Sequence, residues 1–138
     1  MIEEKFKNYL IQKGYSLIDQ KPKLHGYGFE IFATDLLGKK YFVKVIEEYP
    51  PNESYVPRKD IEGKIEDVVR IKGNSDSEFR FAIVVPDKQV YKEVLKQNAP
   101  LWISGTIDVF LIGNNDVIDL HLESIKGIDS NTENGFIF

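Results

Sequence analysis

The sequence predicts an α/β domain built on a mixed central sheet of about five strands with flanking helices. Three observations carry that expectation. Helical periodicities alternate along the chain with short β-branched and aromatic runs, and elements in that order pack as a sheet covered by helices. Phe81-Ala82-Ile83-Val84-Val85 is apolar without alternation, which marks a strand covered on both faces. Two pairs of strand-like runs are joined by the short turns Asp35-Leu36-Leu37-Gly38 and Gly113-Asn114-Asn115-Asp116, and short connections favour antiparallel hairpins.

The elements follow in order. Ile2, Phe6, Tyr9 and Leu10 recur at helical spacing, so residues 2–13 read as a helix. Glu3 and Glu4 in its first turn and Lys13 in its last suit the helix dipole, and Gly14 suits the position after its end. Residues 15–18 read as a short strand. Pro22, Gly26 and Gly28 punctuate residues 21–28 as a loop. Residues 29–34 and 41–46 form the first hairpin. Residues 47–56, with Pro50 and Pro51, read as a loop whose sequon Asn52-Glu53-Ser54 is a chance match. Pro57 suits a helical first turn. Ile61, Ile65, Val68, Val69 and Lys72 then follow at helical spacing, with Gly73 as the stop. After the strand at 81–85, Asp87 is the expected N-cap of a helix carrying Val90, Tyr91, Val94 and Leu95, closed by Asn98 and Pro100. Residues 107–112 and 117–122 form the second hairpin. The passage from Tyr41 to Val85, strand to helix to strand, predicts parallel pairing.

At 138 residues the chain reads as a single domain over residues 1–123, with a polar tail at 124–138. The tail ends in Phe136-Ile137-Phe138, apolar enough to dock on the body or on a partner. The chain has no cysteine, which excludes a disulfide framework, a thiolate zinc site and a cysteine nucleophile. The charged start Met-Ile-Glu-Glu-Lys-Phe-Lys is no signal peptide, and no stretch approaches the roughly 18 apolar residues of a membrane span. A cytoplasmic protein is expected. The 18 basic and 22 acidic residues give a net charge of −4. Binding to nucleic acid through phosphate neutralisation is therefore not indicated by net charge, although a local basic patch would permit it.

One pair of charges stands out. Glu30 lies on the first strand of the first hairpin and Lys44 on the second. By alternation Phe42, Lys44 and Ile46 share one face, and Tyr41, Val43 and Val45 share the other. A lysine amid apolar residues needs a partner, because an unpaired buried charge costs several kcal/mol. Glu30 is the nearest candidate; a Lys44 on a wet sheet edge is the competing reading. His25 and His121 have no zinc-ligand spacing, and each reads as a surface or loop histidine. Asp108, Asp119 and Glu123 read as outward-facing strand positions, Lys39-Lys40 as a charged turn, and Trp102 and Tyr49 as aromatics that cap a core or lie exposed.

The acidic first turn, the hairpin ending in a hydrophobic-Lys-hydrophobic run and the later strand-helix-strand unit resemble the PD-(D/E)XK superfamily, the restriction-endonuclease-like nucleases. The nearest architectures are the Mrr-type and Holliday-junction-resolvase-type, and the resemblance covers roughly residues 2–122. It implies a divalent metal, Mg or Mn, held by an acid on the first hairpin strand and by a second acid two residues before a catalytic lysine. Glu30 matches the first acid, where the family usually has Asp, and Lys44 matches the lysine. Glu3 or Glu4 matches the acid that some members carry on the first helix. The second acid's position holds Phe42, which cannot ligate a metal. Some members move that acid to the following helix, and Glu62 or Glu66 would then complete a metal set with Glu30; the plain alternative is a solvated helix face. Glu47 falls on the wrong face.

Two functions follow as expectations. In the first, a nuclease-like domain has lost catalysis and serves as a binding or interaction module, with a protein partner or a second copy of itself. In the second, an active metal-dependent nuclease works through Glu30, Lys44 and a migrated acid. A third reading is an unrelated α/β domain with Lys44 in a structural ion pair.

Overall fold

The computed structural model describes residues 2–47 and 58–120. The predicted tail, Tyr49, the sequon, Pro57, His121 and Glu123 lie outside the described residues. In chain order the elements are α1 (Ile2–Gln12), β1 (Ser16–Ile18), β2 (Lys23–Leu24), β3 (Tyr27–Gly28), β4 (Ile31–Thr34), β5 (Lys40–Val45), α2 (Arg58–Gly73), β6 (Arg80–Pro86), α3 (Gln89–Gln97), α4 (Ala99–Ser104), β7 (Asp108–Ile112) and β8 (Val117–Asp119). Six strands form one mixed sheet in the order β1-β4-β5-β6-β7-β8, while β2 and β3 pair only with each other. Both predicted hairpins are antiparallel, and β5 pairs in parallel with β6, as does β6 with β7.

Strand alternation divides the core into two layers. On one face Phe42, Ile46, Phe81, Ile83, Val85, Val109 and Leu111 pack under α2, α3 and α4. On the other, Tyr41, Val43, Val45, Ala82, Val84 and Phe110 pack against Ile2, Phe6 and Leu10 of α1. β6 is buried along nearly its whole length, which is why its sequence is apolar without a break. No described helix is long and apolar enough to cross a membrane.

The structure departs from the sequence expectations at four places. Residues 21–28 hold a small two-stranded sheet rather than a loop alone. Pro100 starts α4 instead of only ending α3, because its missing N–H and fixed φ suit a helical first turn. Lys88, not Asp87, takes the N-cap position of α3, without a side-chain capping bond. Asp108 is drawn into a polar cluster: Arg80 donates to Asp35, Asp108 and the Tyr15 hydroxyl at 2.7–3.0 Å, and the Tyr41 hydroxyl donates to Asp108 at 2.8 Å. Burial and the neighbouring Asp108 charge push the Tyr41 phenol well above its ordinary value. Trp102 is fully buried and donates its indole N–H to the Leu95 carbonyl at 2.9 Å.

Gly14 ends α1 with φ +90°, and a Cβ there would stand 2.8 Å from Leu36 Cδ2. Gly14→Ala is expected to cost about 1–2 kcal/mol from the left-handed backbone alone, read as a shift in urea unfolding followed by the fluorescence of the chain's one tryptophan, Trp102. Leu36→Ala in that background should recover only the steric part of the loss.

Candidate functional site

The antiparallel register Ile31↔Val43 extends by one step to place Glu30 opposite Lys44. Both side chains fall on the face that carries Phe42, as the alternation predicts. Lys44 Nζ lies 3.2 Å from Glu30 Oε2, and the two side chains are 13% and 29% exposed. The amine also donates to the Gly28 carbonyl at 3.1 Å and lies 4.6 Å from the centre of the Tyr27 ring. The other carboxylate oxygen, Glu30 Oε1, accepts the backbone N–H of Val45 at 2.7 Å. The ammonium thus has a carboxylate, a carbonyl and an aromatic face around it, and each carboxylate oxygen has its own donor.

Phe42 belongs to the core. It is 3% exposed, and its ring centroid lies 4.8–5.6 Å from those of Phe32, Phe79, Phe81 and Phe29. Such offset and tilted aromatic contacts stabilise beyond the area they bury. A carboxylate at this position would have to be desolvated among four rings, so the substitution for the second acid reaches well past one ligand.

Sequence reasoning missed the side chains above the pair. Tyr27 and Gly28 stand on β3, directly before Glu30. The Tyr27 hydroxyl is buried without a hydrogen-bond partner among the described residues, and burial, then the charges of Asp67, Glu30 and Asp60, push its phenol up. The same charges locate the flank of α2 that faces the site. At about 100° per residue, Asp60 and Asp67 fall on one side of the buried stripe Ile61, Ile65, Val68 and Ile71. Glu62 and Glu66 fall on the other, where Arg58 pairs with Glu93 of α3 at 2.9 Å. The acids expected to complete a metal set with Glu30 are therefore turned away from it, and Glu66 is exposed. Glu47 is exposed as well, and Glu3 and Glu4 both pair with Lys7. Among the described residues no group of three or more His, Cys, Asp or Glu is placed to hold a metal ion. With Phe42 in the core and both Glu30 oxygens engaged, the residues present do not fit the two-acid Mg or Mn site of the resembled nucleases.

Glu30 also reaches a cleft of about 350 Å³ where β1 stops pairing with β4, lined among others by Lys7, Asp19, Gln20, Lys21 and Phe32. Its charges are mixed, two lysines against two acids, so it presents no single-sign field to a phosphate chain.

No protein-family model matches the chain, and no curated protein does. Solved structures do. The FdxN element excision controlling factor protein from Anabaena variabilis matches with a TM-score of 0.55 at 16% identity, over 80% of this chain and 88% of that one. An XisH family protein from Nostoc punctiforme matches with a TM-score of 0.53 at 14% identity, over 78% and 86%. SfsA from Pyrococcus furiosus, solved in complex with Ca²⁺, matches with a TM-score of 0.51 at 14% identity, over 83% of this chain; the chain spans only 57% of SfsA. The likeness establishes the fold, which is restriction-endonuclease-like.

The Glu30–Lys44 pair has a stability signature. Removing one partner of a nearly buried ion pair leaves the other uncompensated, whereas replacing the lysine by an apolar chain of similar length does not. Glu30→Ala is expected to cost about 2–3 kcal/mol in urea denaturation. The double variant Glu30→Ala/Lys44→Met should be more stable than Glu30→Ala alone.

Proposed function

We propose that this chain is a degenerate member of the PD-(D/E)XK superfamily, of Mrr-type or resolvase-type architecture, that has given up phosphodiester cleavage and works as a binding or interaction module. The observation that carries the reading is the closure of the Glu30–Lys44 pair. Every oxygen of the carboxylate and the cation itself are engaged within the fold. A catalytic lysine must approach an attacking water or a phosphate oxygen, and a ligating carboxylate must present a lone pair to the metal. Here the same groups hold two strands and a hairpin together. Phe42 in an aromatic core is consistent with a chain no longer selected to keep its second acid.

The partner in this reading is a protein, a second copy of the chain included. The net charge of −4 and the mixed charges of the Glu30 cleft favour a protein over a phosphate backbone. One structural neighbour bears the name excision controlling factor, a name of control rather than of cutting, which agrees with an accessory role.

The test is cleavage of single- and double-stranded DNA and of RNA, with Mg²⁺ and with Mn²⁺, by the wild type and by Lys44→Ala. The expected result is no cleavage by either. Cleavage by the wild type that disappears in Lys44→Ala would overturn the proposal and restore the active nuclease with an acid taken from elsewhere in the chain.

A further inference from the structure

We infer that the β2–β3 hairpin is a strap that opens and closes over the Lys44 ammonium without unfolding the domain. The hairpin is built as a separate piece. It forms its own two-stranded sheet, with only the pairs Lys23↔Gly28 and Leu24↔Tyr27, and shares no ladder with the main sheet. Its base is fixed, because the Phe29 N–H donates to the Pro22 carbonyl at 2.9 Å. Its tip is fastened by His25, whose Nε2 lies 2.9 Å from the Asn74 carbonyl just past the end of α2. Between base and tip it supplies two of the three groups around the amine, the Gly28 carbonyl and the Tyr27 ring.

The left-handed φ values of His25 and Gly26, +52° and +79°, shape the hairpin's own two-residue turn, so the piece can move as a unit. The closed position carries its own opposition. Closure takes the Tyr27 hydroxyl out of water and gives it no partner among the described residues. That favours release, and the leucine and tyrosine packing on the α2 layer favours closure. Elements held by few contacts at one end open locally at free energies below that of global unfolding. Opening would leave Lys44 paired to Glu30 and hand its remaining donors to water. The inference does not depend on the loss of cleavage, since its test reads access to an amine and not phosphodiester chemistry.

The experiment is acetylation of the full chain by an N-hydroxysuccinimide ester, with each lysine followed by peptide mass spectrometry. Lys59, exposed on α2, is the internal reference. In the wild type Lys44 should react on the order of tenfold slower than Lys59, at a rate that stays flat as urea is raised towards the unfolding transition. Local opening exposes little surface, and surface exposure sets the urea dependence. His25→Ala should speed Lys44 several-fold and leave Lys59 unchanged, and Tyr27→Phe should slow Lys44. A Lys44 rate that climbs with urea along the slope of global unfolding would overturn the inference, and this result needs no variant. So would a His25→Ala rate equal to the wild type's, or a Tyr27→Phe rate equal to or above it.

Discussion

A lysine ammonium placed against the interior of an apolar sheet must be matched by charge, hydrogen bonds or a π face, or the strand that carries it will not stay buried. Lys44 sits between Phe42 and Ile46 on a layer otherwise made of hydrocarbon, and the local architecture answers that constraint. Glu30 meets it from the neighbouring strand, and Gly28 and Tyr27 meet it from a hairpin laid over the top. Because Glu30 also takes the Val45 N–H, the carboxylate joins β4 to β5 beyond the last regular rung of their ladder. The pair therefore helps to fix where the first hairpin begins and where the strap sits.

The same geometry bears on fold and on chemistry separately. Glu30 and Lys44 stand on adjacent strands, as the resembled nucleases would place their acid and lysine, and the solved neighbours share the fold. The chemistry around the two groups is different. A working site leaves its acid and its lysine incompletely satisfied so that metal, water and phosphate complete them. Here protein groups engage both, and an aromatic cluster occupies the place of the second acid. Activity resides in a few side chains, which is why likeness of fold cannot assign it.

Much of this was legible in the chain before any coordinates. The unbroken apolar run at 81–85 announced the central parallel strand, and alternation along 41–46 placed Lys44 beside Phe42 and opposite Glu30. What escaped has physical reasons. Strands of two residues carry no periodicity, so the strap that covers Lys44 read as a loop. Pro100 read as an ending because proline breaks helices, yet it also begins them. On α2, Ile71 and not Lys72 belongs to the buried stripe, and Glu62 and Glu66, taken from the resemblance as migrated acids, lie on the side of that stripe away from Glu30. The Arg80 cluster joins residues from four separate segments, and no local pattern connects Arg80 to Asp35, Asp108 and Tyr15.

Glu30 serves as the structural partner of Lys44 and Val45 and not as a metal ligand: both its oxygens accept hydrogen bonds within the fold, and among the described residues no group of ligands is placed to hold a metal ion. Titration calorimetry of Mn²⁺ into the wild type and into Glu30→Gln tests this most directly, since glutamine keeps the shape and the acceptor for Val45. The account expects the same heats from both proteins, with no saturable site lost on substitution. Stoichiometric Mn²⁺ binding by the wild type that Glu30→Gln abolishes would contradict it.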